Sequence, residues 1–428
     1  MAEKKIDIAV GMSRKWDARK AGKEVARSAI EKLSSPPDFF LLFSTIHYEK
    51  HGGFEEFLNG VWDVLPEGTP LVGGTVAGFM NNHGSFTRGA TALAVSYENM
   101  DIAIGIGKNT KRNPKKAAKQ NATSIRSQMS NSKYNNKFLF SLVSGPVVPE
   151  IPGVGRAKII RSKFLSKIAP KAFSFSQYFF QKGFGREDEV FEEISKELSD
   201  YKMIFGTSID DYKGANNYNF VNKEIVTNSV VSLGISTDLN LDSCTTHGMK
   251  GTNLSFDITK LSKDQHIIHK INNKPAVSEL YDLFEWPEEF LDEKTMLYRI
   301  LYYPISSKRH GREVPVVMLF IIGESIVTPC MVEKGKVNVM SINGKDIVNA
   351  INKNLDNFAD YHPRFGLCSA CCSIPQTMGY RVNIINQHLS QKFKGNPYLL
   401  FWCAGEGTYT PNKGLTYANM SYNTAIFS

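Results

Sequence analysis

The chain has 428 residues, of which 42 % are hydrophobic and 22 % charged, and its 51 lysines and arginines exceed its 42 acidic residues to give a formal charge of +9. This is globular composition on a length beyond the usual single core, which excludes a disordered or fibrous protein and makes two domains the expectation. No apolar run approaches the ~18–20 residues of a membrane span, and the N-terminus lacks the apolar stretch of a secretory signal, so a cytoplasmic protein without a membrane segment is expected.

In chain order, residues 5–10 alternate as a first strand, and 17–33 form an amphipathic helix with Ala18, Ala21, Val25, Ala29, Ile30 and Leu33 on one stripe. A strand over 38–46 and a helix over 54–65 lead to the stretch 69–97, where Leu71-Val72 stops at Gly73-Gly74. A polar loop with Asn81, Asn82, His83 and Gly84 follows, then a second apolar run over 90–97. Residues 101–107 read as a strand, and 114–129 as a basic helix opened by Asn113-Pro114. The pattern then returns. A strand over 137–145 and a helix over 187–199 precede Met203-Ile204-Phe205, which stops at Gly206 before Val230-Val231. Near the end, a strand over 365–374 and a helix over 379–393 precede Leu399–Trp402, which runs into Gly405-Glu406-Gly407, with a last strand over 422–427. Strand, helix, strand, glycine-rich turn, strand is the recurring unit, and its strand–helix–strand part implies a parallel pair.

Between the second and third copies, 265–271 alternates and meets the tight turn Asn272-Asn273-Lys274. A helix over 277–284, strands over 295–303, 314–322, 326–332 and 336–340, and a helix over 346–355 follow. The expected fold is α/β (α+β mixed sheets), with repeated units in two similar halves. The expected domains are 1–236, carrying a basic insert at about 146–185, and 237–428, meeting near 236–242.

Six cysteines suit a reducing compartment, where structural disulfides are rare. Cys368, Cys371 and Cys372 cluster without the second pair that a zinc site needs, so they read as core thiols, and no metal site is expected. Two basic stretches stand out. Lys108, Lys111, Arg112, Lys115, Lys116 and Lys119 form one; Arg156, Lys158, Arg161, Lys163, Lys167 and Lys171 form the other, beside Phe164, Phe173, Phe175, Tyr178, Phe179 and Phe180. Without a nucleic-acid motif they read as solvated faces, and a nucleic-acid partner is not expected.

No nucleophile elbow, phosphate loop, metalloprotease helix or dinucleotide fingerprint is present, so no catalytic residue is assigned. A thiol enzyme using Cys371 or Cys372 with His247 or His362 is the catalytic alternative. Ligands of open α/β sheets sit outside the carboxyl ends of strands, which points to Gly73, Gly74 and Thr75, to Gly206, Thr207 and Ser208, and to Gly405 and Glu406. Asp210 and Glu406 would hold an ammonium group, and the glycine N–H groups a carboxylate. A haem would need an axial histidine, for which His247 and His83 stand in suitable loops.

These residues resemble the FIST family, paired N- and C-terminal sensory domains of signal-transduction proteins. The resemblance rests on Phe43-Ser44, on LVGGTVAG at 71–78, on FGTSIDD at 205–211, and on His247-Gly248 with Ile258-Thr259. It continues with INNKPA at 271–276, where the family typically reads "elDGkPA", the strand over 367–373, Ala404-Gly405-Glu406, and Asn423-Thr424 in the closing strand. Asn272-Asn273 replaces the usual Asp-Gly, and Ser373 stands where a basic residue often sits. The resemblance implies a sensor that binds a small ligand such as an amino acid, rather than an enzyme. Some bacterial members bind haem in nitric-oxide signalling, and a eukaryotic branch carries an F-box. With no output segment recognised here, the signal is expected to pass to a separate protein.

Overall fold

A computed structural model describes residues 6–150, 175–292 and 311–428, together with 155–156, 159–160, 162, 164, 167–168, 171, 299 and 302–309. Three consecutive units share one plan. The first comprises β1 (Asp7–Ser13), α1 (Ala18–Ile30), β2 (Phe39–Ser44), α2 (Gly53–Trp62), β3 (Leu71–Thr75), the hairpin β4 (Gly78–Asn81) and β5 (Gly84–Phe86), and β6 (Ala90–Ser96). The second comprises β7 (Met100–Lys108), α3 (Pro114–Gln128), β8 (Asn136–Ser144), α4 (Glu187–Glu197), β9 (Lys202–Ser208), the hairpin β10 (Asn219–Val221) and β11 (Glu224–Val226), and β12 (Ser229–Thr237). The third comprises β13 (Leu241–His247), α5 (Gly344–Asp356), β14 (Phe365–Cys371), α6 (Asn383–Phe393), β15 (Tyr398–Cys403), the hairpin β16 (Glu406–Thr410) and β17 (Gly414–Ala418), and β18 (Ser421–Phe427).

In every unit the first strand pairs antiparallel with the last, the last antiparallel with the second, and the second parallel with the third. The hairpins leave home. β10–β11 extends the first unit's sheet at β3, β16–β17 extends the second at β9, and β4–β5 extends the third at β15. Each of the resulting six-stranded sheets is therefore completed by another unit. Residues 238–240 connect the second and third units.

Strands buried on both faces explain the near-continuous apolar runs. With a side-chain period of two, Phe39, Leu41 and Phe43 face a central core shared by all three sheets, while Phe40 and Leu42 face α1 and α2. At the centre Phe43 and Phe401 stack at 4.5 Å, and Phe140 meets their edges at 5.7 and 5.8 Å. α1 begins where Asp17 accepts a hydrogen bond from Lys20 N, a side-chain N-cap. It crosses α2 closely, because a Cβ on Gly22 would lie 2.0 Å from the Phe57 carbonyl oxygen and one on Gly60 2.1 Å from that of Arg19.

A fourth sheet is inserted between β13 and α5. It contains Lys250–Leu261, Ile267–Ile271, Ile305–Arg309, Arg312–Val316, Phe320–Ile322, Ser325–Val327 and Gly335–Ser341, and takes Ile159–Ile160 from the second unit. The turn at Asn272-Asn273 has φ of 50° and 65°, the left-handed region in which asparagine is tolerated. The strand expected over 314–322 is two strands, and the one expected over 295–303 lies mostly outside the described residues. The insert at 146–185 shows a bridge from Val147 to Gly183 and exposed rings at Phe175, Tyr178, Phe179 and Phe180, while Lys158, Arg161, Lys163 and Phe173 lie outside the described residues. Lys111 is not part of a solvated basic face. It is buried.

Candidate functional site

The carboxyl ends of the central strands meet. Ser44 is paired with Thr75, Ser144 with Ser208, and Cys371 with Cys403. Val76 N donates to Ser44 O at 2.9 Å, Gly145 N to Ser208 O at 3.0 Å, and Cys372 N to Cys403 O at 2.8 Å. Across units, Ile209 N donates to Thr75 O at 3.0 Å and Ala77 N to Trp402 O at 3.0 Å. The structure thus brings Gly74, Thr75, Gly206, Thr207, Ser208, Gly405 and Glu406 to one joint.

That joint is packed. Gly73, Gly74 and Gly206 lie inside strands rather than in turns, and none has a positive φ. They are glycines because neighbours come close: an added Cβ would lie 1.7 Å from Leu42 O at Gly73, 2.6 Å from Tyr218 O at Gly74 and 2.4 Å from the Phe401 ring at Gly206. Thr207 Oγ1 accepts from Gly405 N at 2.5 Å and donates to Gly405 O at 2.6 Å, and Ser208 Oγ bonds Asn217 Oδ1 at 3.3 Å. Asp210 closes its own loop by accepting from Gly214 N at 3.0 Å and Ala215 N at 2.6 Å.

Glu406 is fully buried and accepts from Ser421 N at 2.9 Å and Ser421 Oγ at 3.1 Å. Burial first, then the Cys371 thiol, lifts its carboxyl well above the ordinary 4.5. The two carboxylates that the sequence offers to an ammonium group are therefore engaged differently: one caps a loop and the other favours its uncharged form. A carboxyl with a raised folded pKa contributes stability that is fully present below about pH 4.5 and is lost as pH rises through the folded value. Glu406→Gln keeps the acceptor oxygen, so its melting temperature is expected to decline less than that of the wild type from pH 4.5 to pH 8. Parallel declines would show that Glu406 does not carry the effect.

Cys371, Cys372 and Cys403 are buried, with Cys371 Sγ 2.8 Å from Ser373 Oγ and 3.9 Å from Met420 Sδ. The Cys371 thiol is drawn down to about 7, chiefly by the Cys372 thiol bonded to it. His247 pairs with Ser421 and Ala370 with Tyr422 on opposite edges of β18, so His247 and Cys371 lie on strands two apart, about 10 Å by strand spacing. His362 is exposed. The His247 ring is bonded to the backbone of Glu313, and neither it nor His83 lines the cavity described next.

On the far side of Gly405 the chemistry opens out. A Cβ there would lie 2.2 Å from Tyr417 Oη, and that hydroxyl donates to Glu187 Oε1 at 3.0 Å. Burial pushes the Glu187 carboxyl up to about 7 and the nearby Lys111 ammonium down to about 8. Beyond Tyr417 a cavity of about 240 Å³ lies between α4, the β16–β17 hairpin and the inserted sheet. Asp188, Glu192, Gln265, Ser307, Lys308, Met331, Glu333, Leu415 and Tyr417 line it. Sequence reasoning missed it. Glu187, Asp188 and Glu189 read as ordinary acidic residues of a helix's first turn, and the other lining residues come from separate elements.

The family model of the FIST N domain matches residues 38–274, more than half of the chain. No curated protein matches it. Among solved structures, a cyanuric acid hydrolase from A. caulinodans is similar at 9 % identity over 55 % of this chain and 72 % of that one, with a TM-score of 0.28, too low to carry an argument. A match of that extent shows the family: the protein belongs to the FIST family.

Proposed function

We propose that the protein senses a small cationic or zwitterionic metabolite of amino-acid size, bound in the cavity beside Tyr417. FIST domains are sensory domains of signal transduction. The observation that carries the ligand class is the lining, in which Asp188, Glu192 and Glu333 face a cavity of about 240 Å³ together with Lys308. Carboxylates take an ammonium group, Lys308 takes a carboxylate, and the volume suits a molecule smaller than the occupants of typical drug-sized pockets. The role is binding rather than catalysis, which the separation of Cys371 from His247 supports. The free thiols support a reducing, cytoplasmic setting, and the output passes to a separate signalling protein.

The test is a thermal-shift screen with amino acids and polyamines, followed by calorimetry on Glu333→Gln and Lys308→Met. Both side chains are exposed, so solvent screens them and removal of either charge is expected to weaken binding by about tenfold at most. No shift with any amino acid or amine, or unchanged affinity in both variants, would remove this reading.

A further inference from the structure

We propose that Asp188, Glu189 and His266 bind one divalent transition-metal ion, such as Zn²⁺, at the edge of the cavity. The proposal goes beyond the metabolite reading and does not depend on it. One ligand atom from each of the three residues lies within 4.8 Å of the others, a spacing that small side-chain movements can close around an ion. His266 carries the argument. It is 2 % exposed, and its Nδ1 lies 3.2 Å from the carbonyl oxygen of Thr328, a contact that requires the proton on Nδ1. Nε2 is then a bare acceptor, buried and without a hydrogen-bond partner. Stacking on Phe184, 4.8 Å away and inclined by 18°, holds the ring in that orientation. A metal-binding histidine has this arrangement: the second nitrogen donates to a backbone carbonyl and so fixes the tautomer that offers its lone pair.

The carboxylates are braced in the same way. Asp188 accepts from Met331 N at 2.9 Å and from Glu189 N at 3.0 Å. Arg186 holds both oxygens of Glu189, at 2.6 and 2.9 Å, and each oxygen keeps a second lone pair for an ion. Arg186 also offsets one of the two negative charges, so the site is not self-repelling when empty. One imidazole with two carboxylates favours a first-row divalent ion over Mg²⁺ or Ca²⁺, which prefer all-oxygen shells. Asp188 also lines the cavity, where water can complete the coordination. The three residues lie 78 positions apart at the extremes, on α4 and immediately before Ile267–Ile271, so no sequence motif announces them.

The experiment uses the full chain stripped with a chelator, then titrated with Zn²⁺ in a calorimeter and with Co²⁺ in a visible spectrometer, without any metabolite. One equivalent per chain is expected, with Co²⁺ absorption bands that Zn²⁺ displaces and a raised melting temperature. His266→Gln and Asp188→Asn are expected to weaken binding at least a hundredfold while the metal-free melting temperature stays near that of the wild type. If a buried variant fails to fold, Glu189→Gln, whose side chain is partly exposed, is expected to lose at least tenfold and takes its place. No binding, equal affinity for Ca²⁺, or binding that survives in every folded variant overturns the proposal. A failed metal titration beside a positive metabolite screen sinks only the metal site, and the reverse result sinks only the metabolite.

Discussion

Phe401→Ala is expected to lower the unfolding free energy by about 3–5 kcal/mol, the usual loss when a large buried aromatic is deleted from a core that cannot collapse. The ring stacks on Phe43 from the first unit, meets Phe140 from the second, and fills the space that a glycine leaves at position 206. No one unit can relax into the vacancy, because its walls are three different sheets. Chemical denaturation followed by tryptophan fluorescence and by circular dichroism should show one transition, shifted equally in both signals. Phe401→Leu, which keeps more of the volume, is expected to cost less than half as much. A shift confined to one signal would mean that the three sheets do not share a core.

Gly22→Val is expected to cost about 3 kcal/mol, the upper part of the range for overpacking, because the atom in the way is backbone. The new Cβ would lie 2.0 Å from the carbonyl oxygen of Phe57, and a main-chain oxygen cannot turn aside as a long side chain does. α1 and α2 would have to separate, loosening Val25, Phe57 and Val61 against Phe40 and Leu42. Lys23→Ala, one residue along on the exposed face, is the control and should change stability by less than about 0.5 kcal/mol. Equal melting temperatures for the two variants would show that the helices cross less tightly than described.

The sequence showed the repeating unit because strands buried on both faces leave unbroken apolar runs, as in FFLLFS at 39–44 and YLLFWC at 398–403. It also located the joint, since glycine marks close approach whether a ligand or another strand is approaching. It could not tell those two cases apart. Gly73 and Gly206 look the same beside a bound carboxylate as beside Leu42 O or the Phe401 ring, and only the neighbours decide. Glu406 was misleading for a related reason: a carboxylate next to glycines reads as a binding charge until Ser421 is found against it. The cavity and His266 were invisible, because their walls join α4, a hairpin and an inserted sheet that are distant along the chain.

The exchange of hairpins sets a timetable for the newly made chain. β4 leaves the ribosome early, yet its pairing partner is β15, with Asn81 opposite Leu399. At about 5–20 residues per second, the intervening stretch of roughly 300 residues takes about 15–60 s to synthesise. Throughout that interval β4 and β5 have no sheet to join, and β9 presents an open edge until β16 arrives. Unpaired strand edges recruit other strands, so a stalled or truncated chain is a template for aggregation. The same applies to a fragment cut at the limits of the family match: residues 38–274 end inside the inserted sheet and lack β14 to β18, so they include two of the visiting hairpins but only one of the sheets those hairpins visit.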